Sequence, residues 1–217
     1  MDNFTSASIS SGANVPFWLD SMPILSFQKP SEPLTTDVLI IGGGIAGLTT
    51  AYLLLKAGRK VTVVEDGFIG SGETGRTTAH LTCALDDRYY YLENVFGKEV
   101  AALAAESHAS AIDEIERIIT AEHIECSFKR VEGYLFLHPS DKDETLDREF
   151  AATQRAGLAT SLLEEIPSVA GGAGKRCIAF HKQAQFHVMQ YLSGLAHAIL
   201  MLGGSIFTEA RAENITK

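Results

Sequence analysis

Three glycines, Gly42, Gly44 and Gly47, stand in G-x-G-x-x-G spacing, and the carboxylate of Glu65 follows them further along the chain. A glycine at position 42 permits a tight turn. One at 44 lets a pyrophosphate approach the backbone, and one at 47 lets a helix pack closely on a strand. The unpaired N–H groups at the start of the following helix lie at the positive end of its dipole and suit phosphate oxygens. Glu65 would accept hydrogen bonds from ribose hydroxyls, and its charge would repel a 2′-phosphate, which argues against NADP. The chemistry indicated is the binding of a dinucleotide.

The elements needed to hold those residues are present in the right order. Residues 38–41 form an apolar run of strand length, 45–57 carry apolar and small residues at helical spacing up to Gly58, and 61–64 form a second apolar run ending at Glu65. A G-x-G-x-x-G by itself is a weak signal, but strand, turn, helix, stop, strand and acid together describe a βαβ unit. The following stretch, DGFIGSGETGRTTAHLTCALDD, has turn-forming Gly70, Gly72 and Gly75. It also offers the hydroxyls of Ser71, Thr74, Thr77 and Thr78 and the fixed cation of Arg76. Composition leaves two readings of it: a loop that wraps a phosphate or a ring edge, or a plain surface loop.

Composition narrows the function. The chain has 217 residues, 46% of them hydrophobic and 21% charged, enough for a core in one large domain or two small ones. Its net charge of −9, without a Lys/Arg cluster, argues against nucleic-acid binding. Cys83, Cys126 and Cys177 are far apart and read as small core residues, so no cysteine-rich metal site is expected. No apolar run is long enough to span a membrane, and the N-terminus lacks a basic signal region, so the reading is cytoplasmic.

Residues 1–36 read as an extended leader with Pro16, Pro23, Pro30 and Pro33, whose apolar side chains, Phe17, Trp18 and Leu25 among them, would dock on the protein's own surface, the favoured reading, or on a ligand mouth. Residues 95–122 read as one long helix with a stripe of Val100, Leu103, Ser107, Ala111, Ile115 and Ile118, widened by Ala104, Ile112 and Ile119, and with His108 at its surface or in helix packing. Residues 128–137 read as a strand pair turning at Glu132-Gly133, and Asp141 with Glu144 as a capping box for a helix over 142–156. A glycine-rich loop follows at 171–174, then a strand over 177–180, a helix over 188–202 stopped by Gly203-Gly204, and a strand over 205–208.

Four segments together resemble the N-terminal half of an FAD-dependent oxidoreductase of the D-amino-acid oxidase and glycine oxidase superfamily. They are IIGGGIAGLTTAYLLLKAG with Glu65, GSGETGRTTAHLT, IECSFKRVEGYLF and FHVMQYLSGLAHAILMLGGSIF, and they cover about residue 33 to the end. The second is similar to the superfamily's second flavin loop and is the most specific. The nearest branch often carries a C-terminal Rieske domain. The resemblance implies an α/β, Rossmann-like FAD/NAD(P)-binding fold with part of an inserted α+β substrate domain, C-terminally incomplete. The implied division is a leader over 1–36, FAD-binding parts over 37–125 and 181–217, and substrate-domain strands and a helix over 126–180.

By the same resemblance, Gly42, Gly44 and Gly47 with the backbone of Ile45 and Ala46 would hold the FAD pyrophosphate. Glu65 would bind the ribose, and Ser71, Thr74, Gly75, Arg76, Thr77, Thr78 and Ala79 would line the pyrophosphate, ribityl chain and flavin. The implied activity is oxidation of an amine or amino-acid C–N bond, with Tyr134 and Arg130 as pocket candidates and core packing an equal reading for Tyr134. Some relatives bind FAD covalently through a histidine in the second loop. Arg76 stands at the matching position, so no covalent link is expected, and the role is not transferred to His80. Val188 stands where the family usually has proline. No Rieske cysteine and histidine pairs are present, so a [2Fe-2S] cluster would belong to a C-terminal domain beyond residue 217. A fragment of this kind is expected to expose apolar sheet edges. Two other readings stand beside this one: an NAD-binding dehydrogenase, since the βαβ unit alone does not separate NAD from FAD, and a non-catalytic nucleotide-binding remnant.

Overall fold

A computed structural model of the chain describes residues 15–138, 142–167 and 175–216. In chain order the elements are α1 (Phe17–Asp20), β1 (Val38–Ile41), α2 (Ile45–Lys56), β2 (Val61–Val64), β3 (His80–Leu81), α3 (Tyr89–Phe96), α4 (Lys98–Ala121), β4 (Lys129–Phe136), α5 (Asp143–Arg155), β5 (Thr160–Leu163), β6 (Cys177–Gln185), α6 (Val188–Met201) and β7 (Ser205–Phe207). A 3-10 turn at Glu73–Arg76 lies between β2 and β3. The chain forms two compact units. The first takes residues up to 79, then 119–126, then 187 onward, and the second takes 80–118 and 127–186.

The first unit is built on a parallel sheet in the order β1-β2-β7, with Val38 opposite Val61 and Val63 opposite Ile206. β2 is central, and Val61 and Val63 are buried. The helices α2 and α6 supply apolar faces, Leu48, Ala51 and Tyr52 from one and Met189, Leu192, Leu195 and Ile199 from the other. β1 is an edge strand, and its Leu39 and Ile41 are 52% and 55% exposed. Such an edge offers unpaired backbone groups beside apolar side chains.

The leader is bonded to this unit at several points. Phe27 N–H donates to Thr208 Oγ1 at 2.7 Å, and that hydroxyl donates to the Phe27 carbonyl. His187 caps α6: its Nδ1 accepts from Gln190 N–H at 3.3 Å, while its Nε2 lies 3.1 Å from Ser21 Oγ. With Nδ1 accepting, the proton of the neutral ring sits on Nε2. Burial holds the imidazole below its usual value.

The second unit has an antiparallel sheet centred on β6. β4 pairs along its length, while β5 and β3 pair with its two ends. Ile178, Phe180 and Ala184 of β6 pack in one core with Ala101, Ala105 and Ile112 of α4, Leu146 and Ala152 of α5, and Tyr89 of α3. Glu149, 1% exposed, accepts from Tyr89 N–H at 3.0 Å and Tyr90 N–H at 3.1 Å. A carboxylate on α5 thus caps the start of α3, where Arg88 provides no side-chain cap. Burial raises the Glu149 carboxyl, against the pull of those two N–H donors.

Several expectations are corrected. Residues 129–136 form one strand, not a hairpin, because β6 offers a single long partner; the irregularity falls between Val131 and Gly133, opposite Lys182 in the left-handed region (φ +60°). The long helix is broken at Gly97 (φ +90°), whose N–H donates to Glu93 O. The buried face of α4 is Ala101, Ala105, Ile112, Ile115 and Ile118, so Val100 and Leu103 of the expected stripe are exposed. Ser107 and Ala111 are exposed as well, while His108 lies at the surface, in line with its reading from the sequence. The strand expected over 177–180 runs on to Gln185. Residues 80–118 and 181–186 fall in the second compact unit, where β3, α3 and α4 pack with β6 and α5. Asp141 and the glycines at 171–174 lie outside the described residues. All three cysteines are buried and none forms a disulfide. Among the described residues no helix is long and apolar enough to cross a membrane.

Two measurements test this account. Glu149→Ala leaves the buried Tyr89 N–H and the part-buried Tyr90 N–H at the start of α3 unpaired and should cost about 2–4 kcal/mol in chemical denaturation; a change near zero would show that the cap is dispensable. His187 favours the folded state in its neutral form, so its contribution is present above its usual value of 6.5 and is lost as pH falls through its depressed value in the fold. His187→Asn keeps a capping acceptor and does not titrate. It should therefore lose less stability than the wild type between about pH 7 and pH 5. Equal losses would exclude His187 as a source.

Candidate functional site

The first unit gathers the glycines and the acid at the C-terminal end of its sheet. Gly42 leaves β1 with φ +111° and donates its N–H to Val64 O at 2.8 Å, which ties the turn to β2. Gly44 is the residue preceding α2. A Cβ on Gly47 would lie 2.0 Å from the Gly42 carbonyl oxygen and 3.4 Å from Ile40 Cγ2, so the helix sits directly on the turn. In any such helix the first N–H groups lack an intrahelical acceptor. Here Ile45 N–H is taken by Thr74 Oγ1 at 3.2 Å, and the N–H groups of Ala46 and Gly47 open the helix.

Glu65 is the junction of the site. Its Oε2 accepts from Gly43 N–H at 2.6 Å, and its Oε1 accepts from Gly67 N–H at 2.9 Å and Ser71 Oγ at 3.1 Å. Oε1 thereby has two donors, while Oε2 retains one lone-pair direction for a further donor. The sequence reading did not single out Gly43, the middle of three consecutive glycines. Space shows its importance: a Cβ there would meet Ile69 Cδ1 at 2.5 Å and Glu65 Cβ at 3.1 Å.

The second glycine loop folds over the start of α2. Gly70 turns with φ +78°, and Gly75 N–H returns to Gly70 O at 3.1 Å, closing the segment around the 3-10 turn. A Cβ on Gly75 would be 2.4 Å from that same oxygen. Thr74 Oγ1 would be 2.9 Å from a Cβ on Gly44, so the loop and the first turn are fitted together across a glycine. Thr77 Oγ1 accepts from Ala79 N–H at 3.2 Å, and Ala79 has φ +58°.

One cleft of about 340 Å³ is lined by Gly44, Glu65, Ser71 and Thr74, together with Asp66, Gly67, Gly72, Glu73 and Arg211. The structure thus brings four of the expected residues onto one surface. Gly42, Gly47 and Gly75 shape the backbone behind it, and Ile45, Ala46, Arg76, Thr77, Thr78 and Ala79 are not among its lining residues. Arg211 is the functional candidate that sequence reasoning missed. It belongs to no motif, and it reaches the cleft because the chain after β7 runs beside the end of β2, with Ala210 N–H on Glu65 O and Glu209 N–H on Gly67 O, both at 2.9 Å. A helix start and the Arg211 guanidinium are groups that suit an anion, and Glu65 has acceptor capacity for a hydroxyl, while Asp66 and Glu73 add negative charge to the same cleft. Among the described residues no group of three or more His, Cys, Asp or Glu side chains could hold a metal ion.

The two pocket candidates of the second unit fare differently. Both line a charged cleft of about 780 Å³ with Lys129, Glu132 and Lys182. Tyr134 is partly exposed there, so it is not a core residue. Arg130 is occupied: it pairs with Glu116 and Asp113, both at 2.6 Å, and donates to Lys182 O.

The two helix-turn glycines should respond differently to substitution. Gly47→Ala drives a Cβ into backbone and should cost about 3 kcal/mol or more, read as a fall in melting temperature. Gly44→Ala meets only the Thr74 side chain, which can rotate away at the cost of its bond to Ile45 N–H, about 1 kcal/mol. Equal losses would contradict this packing.

Known proteins bear on the site. A protein of Bacillus subtilis (strain 168) whose name describes a Rieske 2Fe-2S iron-sulfur protein, YhfW, is 34% identical over 93% of this chain and 39% of its own length. Gamma-glutamylputrescine oxidoreductase of Escherichia coli (strain K12) is 27% identical over 83% of this chain and 43% of its own length. Among solved structures, L-amino acid deaminase from Proteus myxofaciens superposes with a TM-score of 0.68 at 18% identity, covering 86% of this chain and 41% of that one, which supports the fold. The chain thus spans about two-fifths of the length of these relatives. The model of the DAO family, FAD dependent oxidoreductase, matches residues 37–217, and the chain belongs to that family.

Proposed function

We propose that this chain supplies the FAD-holding part, and a share of the substrate-binding part, of an oxidoreductase acting on the C–N bond of an amine or amino acid. The observation that carries the reading is the cleft joining Gly44, Glu65, Ser71, Thr74 and Arg211. Its residues suit the ADP half of FAD. Gly44 has no Cβ where one would strike Thr74, the N–H groups of Ala46 and Gly47 open α2, and Glu65 Oε2 has room for a ribose hydroxyl. In this reading Gly42 and Gly47 shape the turn, Glu65 and Ser71 hold the ribose side, and Thr74 and Arg211 flank the pyrophosphate. Gly75, Arg76, Thr77, Thr78 and Ala79 continue the loop toward the rest of the cofactor.

FAD supplies the two-electron acceptor for such chemistry. Substrate class is suggested by the names of relatives, a gamma-glutamylputrescine oxidoreductase and a glycine oxidase among them. The likeness to YhfW favours electron exit through a [2Fe-2S] Rieske cluster in a further domain of the whole protein.

The absorbance spectrum of the full-length protein tests this. Flavin bands are expected, bleaching when a suitable amine or amino acid is added without oxygen, with an added broad iron–sulfur contribution if the Rieske reading holds. Glu65→Ala should weaken FAD retention about tenfold or more. A colourless protein that binds NAD would overturn the proposal in favour of a dehydrogenase, and one that binds FAD without reduction by any amine would leave a nucleotide-binding remnant.

A further inference from the structure

The second glycine loop holds one 3-10 turn, with Ser71 N–H on Phe68 O and Gly75 N–H on Gly70 O, and is otherwise irregular. Gly70, Gly72 and Gly75 give it wide backbone freedom, and Glu73, Thr77 and Thr78 are exposed. Ordering such a segment has an entropic cost that is charged against ligand affinity unless it is met beforehand. On the side of the cleft, Ser71 and Thr74 provide fastening through Glu65 and Ile45 N–H.

The leader provides more. Trp18 Nε1 donates to the Thr77 carbonyl at 2.7 Å, just after the 3-10 turn. Leu19 covers Gly75 so closely that a Cβ there would be 3.0 Å from Leu19 Cδ2. Further along, the Leu25 carbonyl accepts from Ile69 N–H at 3.0 Å, just before Gly70. The loop is therefore gripped at both ends and in its middle by residues 18–25. The grip is itself anchored. The Trp18 ring meets Phe17 edge-on at 5.1 Å and His187 at 5.0 Å, and Ser21 Oγ donates to Trp18 O while meeting the α6-capping His187.

We infer that residues 17–25 form a strap that holds the second glycine loop in its cofactor-binding shape, with Trp18 and Leu19 as positioning residues for the dinucleotide. The inference rests on the reading of the cleft as the site of the ADP half of FAD. Neither residue lines that cleft; both act through the loop.

The test uses full-length apoprotein titrated with FAD and with ADP. Trp18→Phe keeps an aromatic ring and removes the N–H, and Leu19→Ala removes the cover on Gly75. Each should weaken FAD and ADP about five- to tenfold, the effect of one hydrogen bond or small apolar contact. Both should leave the melting temperature of the apoprotein essentially unchanged. Each should also speed tryptic cleavage after Arg76, inside the loop, in the absence of ligand. Unchanged FAD and ADP affinities in both variants would overturn the strap, as would weakening matched by a lower apoprotein melting temperature, which would mark the residues as fold-stabilising only. If the wild-type apoprotein bound neither FAD nor ADP, the reading of the cleft itself would fail, and the strap with it.

Discussion

The carboxylate of Glu65 is the interaction on which the glycine-rich end of the first unit depends. It sits where β2 ends, and its three donors come from three different segments: Gly43 in the first turn, Gly67 at the exit of the strand, and Ser71 in the second loop. A carboxylate facing backbone N–H groups makes charge-assisted bonds stronger than neutral ones. Together with the direct bonds from Ile45 N–H to Thr74 Oγ1 and from Gly70 N–H to Gly43 O, they tie the first turn to the second loop. The acid that a dinucleotide site needs for its ribose is thus first a piece of architecture, and only its remaining acceptor capacity is available to a ligand.

The glycines divide the same work. Gly47 and Gly75 have backbone carbonyls where a Cβ would go, so their role is closeness between segments of the protein. Gly44 faces the Thr74 side chain and lines the cleft, so its role is closeness to whatever enters. One spacing motif carries two physical functions. That is why a match to it is informative only when the flanking strand, helix and acid are present.

Much of the first unit was legible because its signals are local. The apolar runs, the glycine stops at 58 and 203 and the acid after the second strand are all read within a few residues, and α2, β2 and α6 lie close to where the sequence put them. What was misread depended on distant partners. Whether Glu132-Gly133 turns or stays extended is decided by β6, which supplies one long neighbour. The start of α4 was misplaced because a single glycine inside a helical pattern does not announce whether it will break the helix, and Gly97 does, while Ile112, Ile115 and Ile118 of its expected stripe are buried. Arg211 in the cleft and the bond of Trp18 to the second loop were not legible for the same reason, although docking of the leader itself was expected. Their places are set by pairing of the chain end with Glu65 and Gly67 and by docking of the leader, neither of which has a sequence period.

The order of the segments along the chain also constrains how the molecule is made. The first unit opens with β1, α2 and β2, yet β2 waits for β7, its partner from near the opposite end. The elements described in the second unit are all present once residue 186 has been added, while the first still lacks α6 and β7. During synthesis from the N-terminus, the intervening unit can therefore close first, and β2 and β7 pair only after it. Their contacts are of high sequence separation, the kind that slows folding. Until β7 arrives, β2 presents a second unpaired edge beside that of β1, so the nascent protein passes through a stage more prone to association than its finished state.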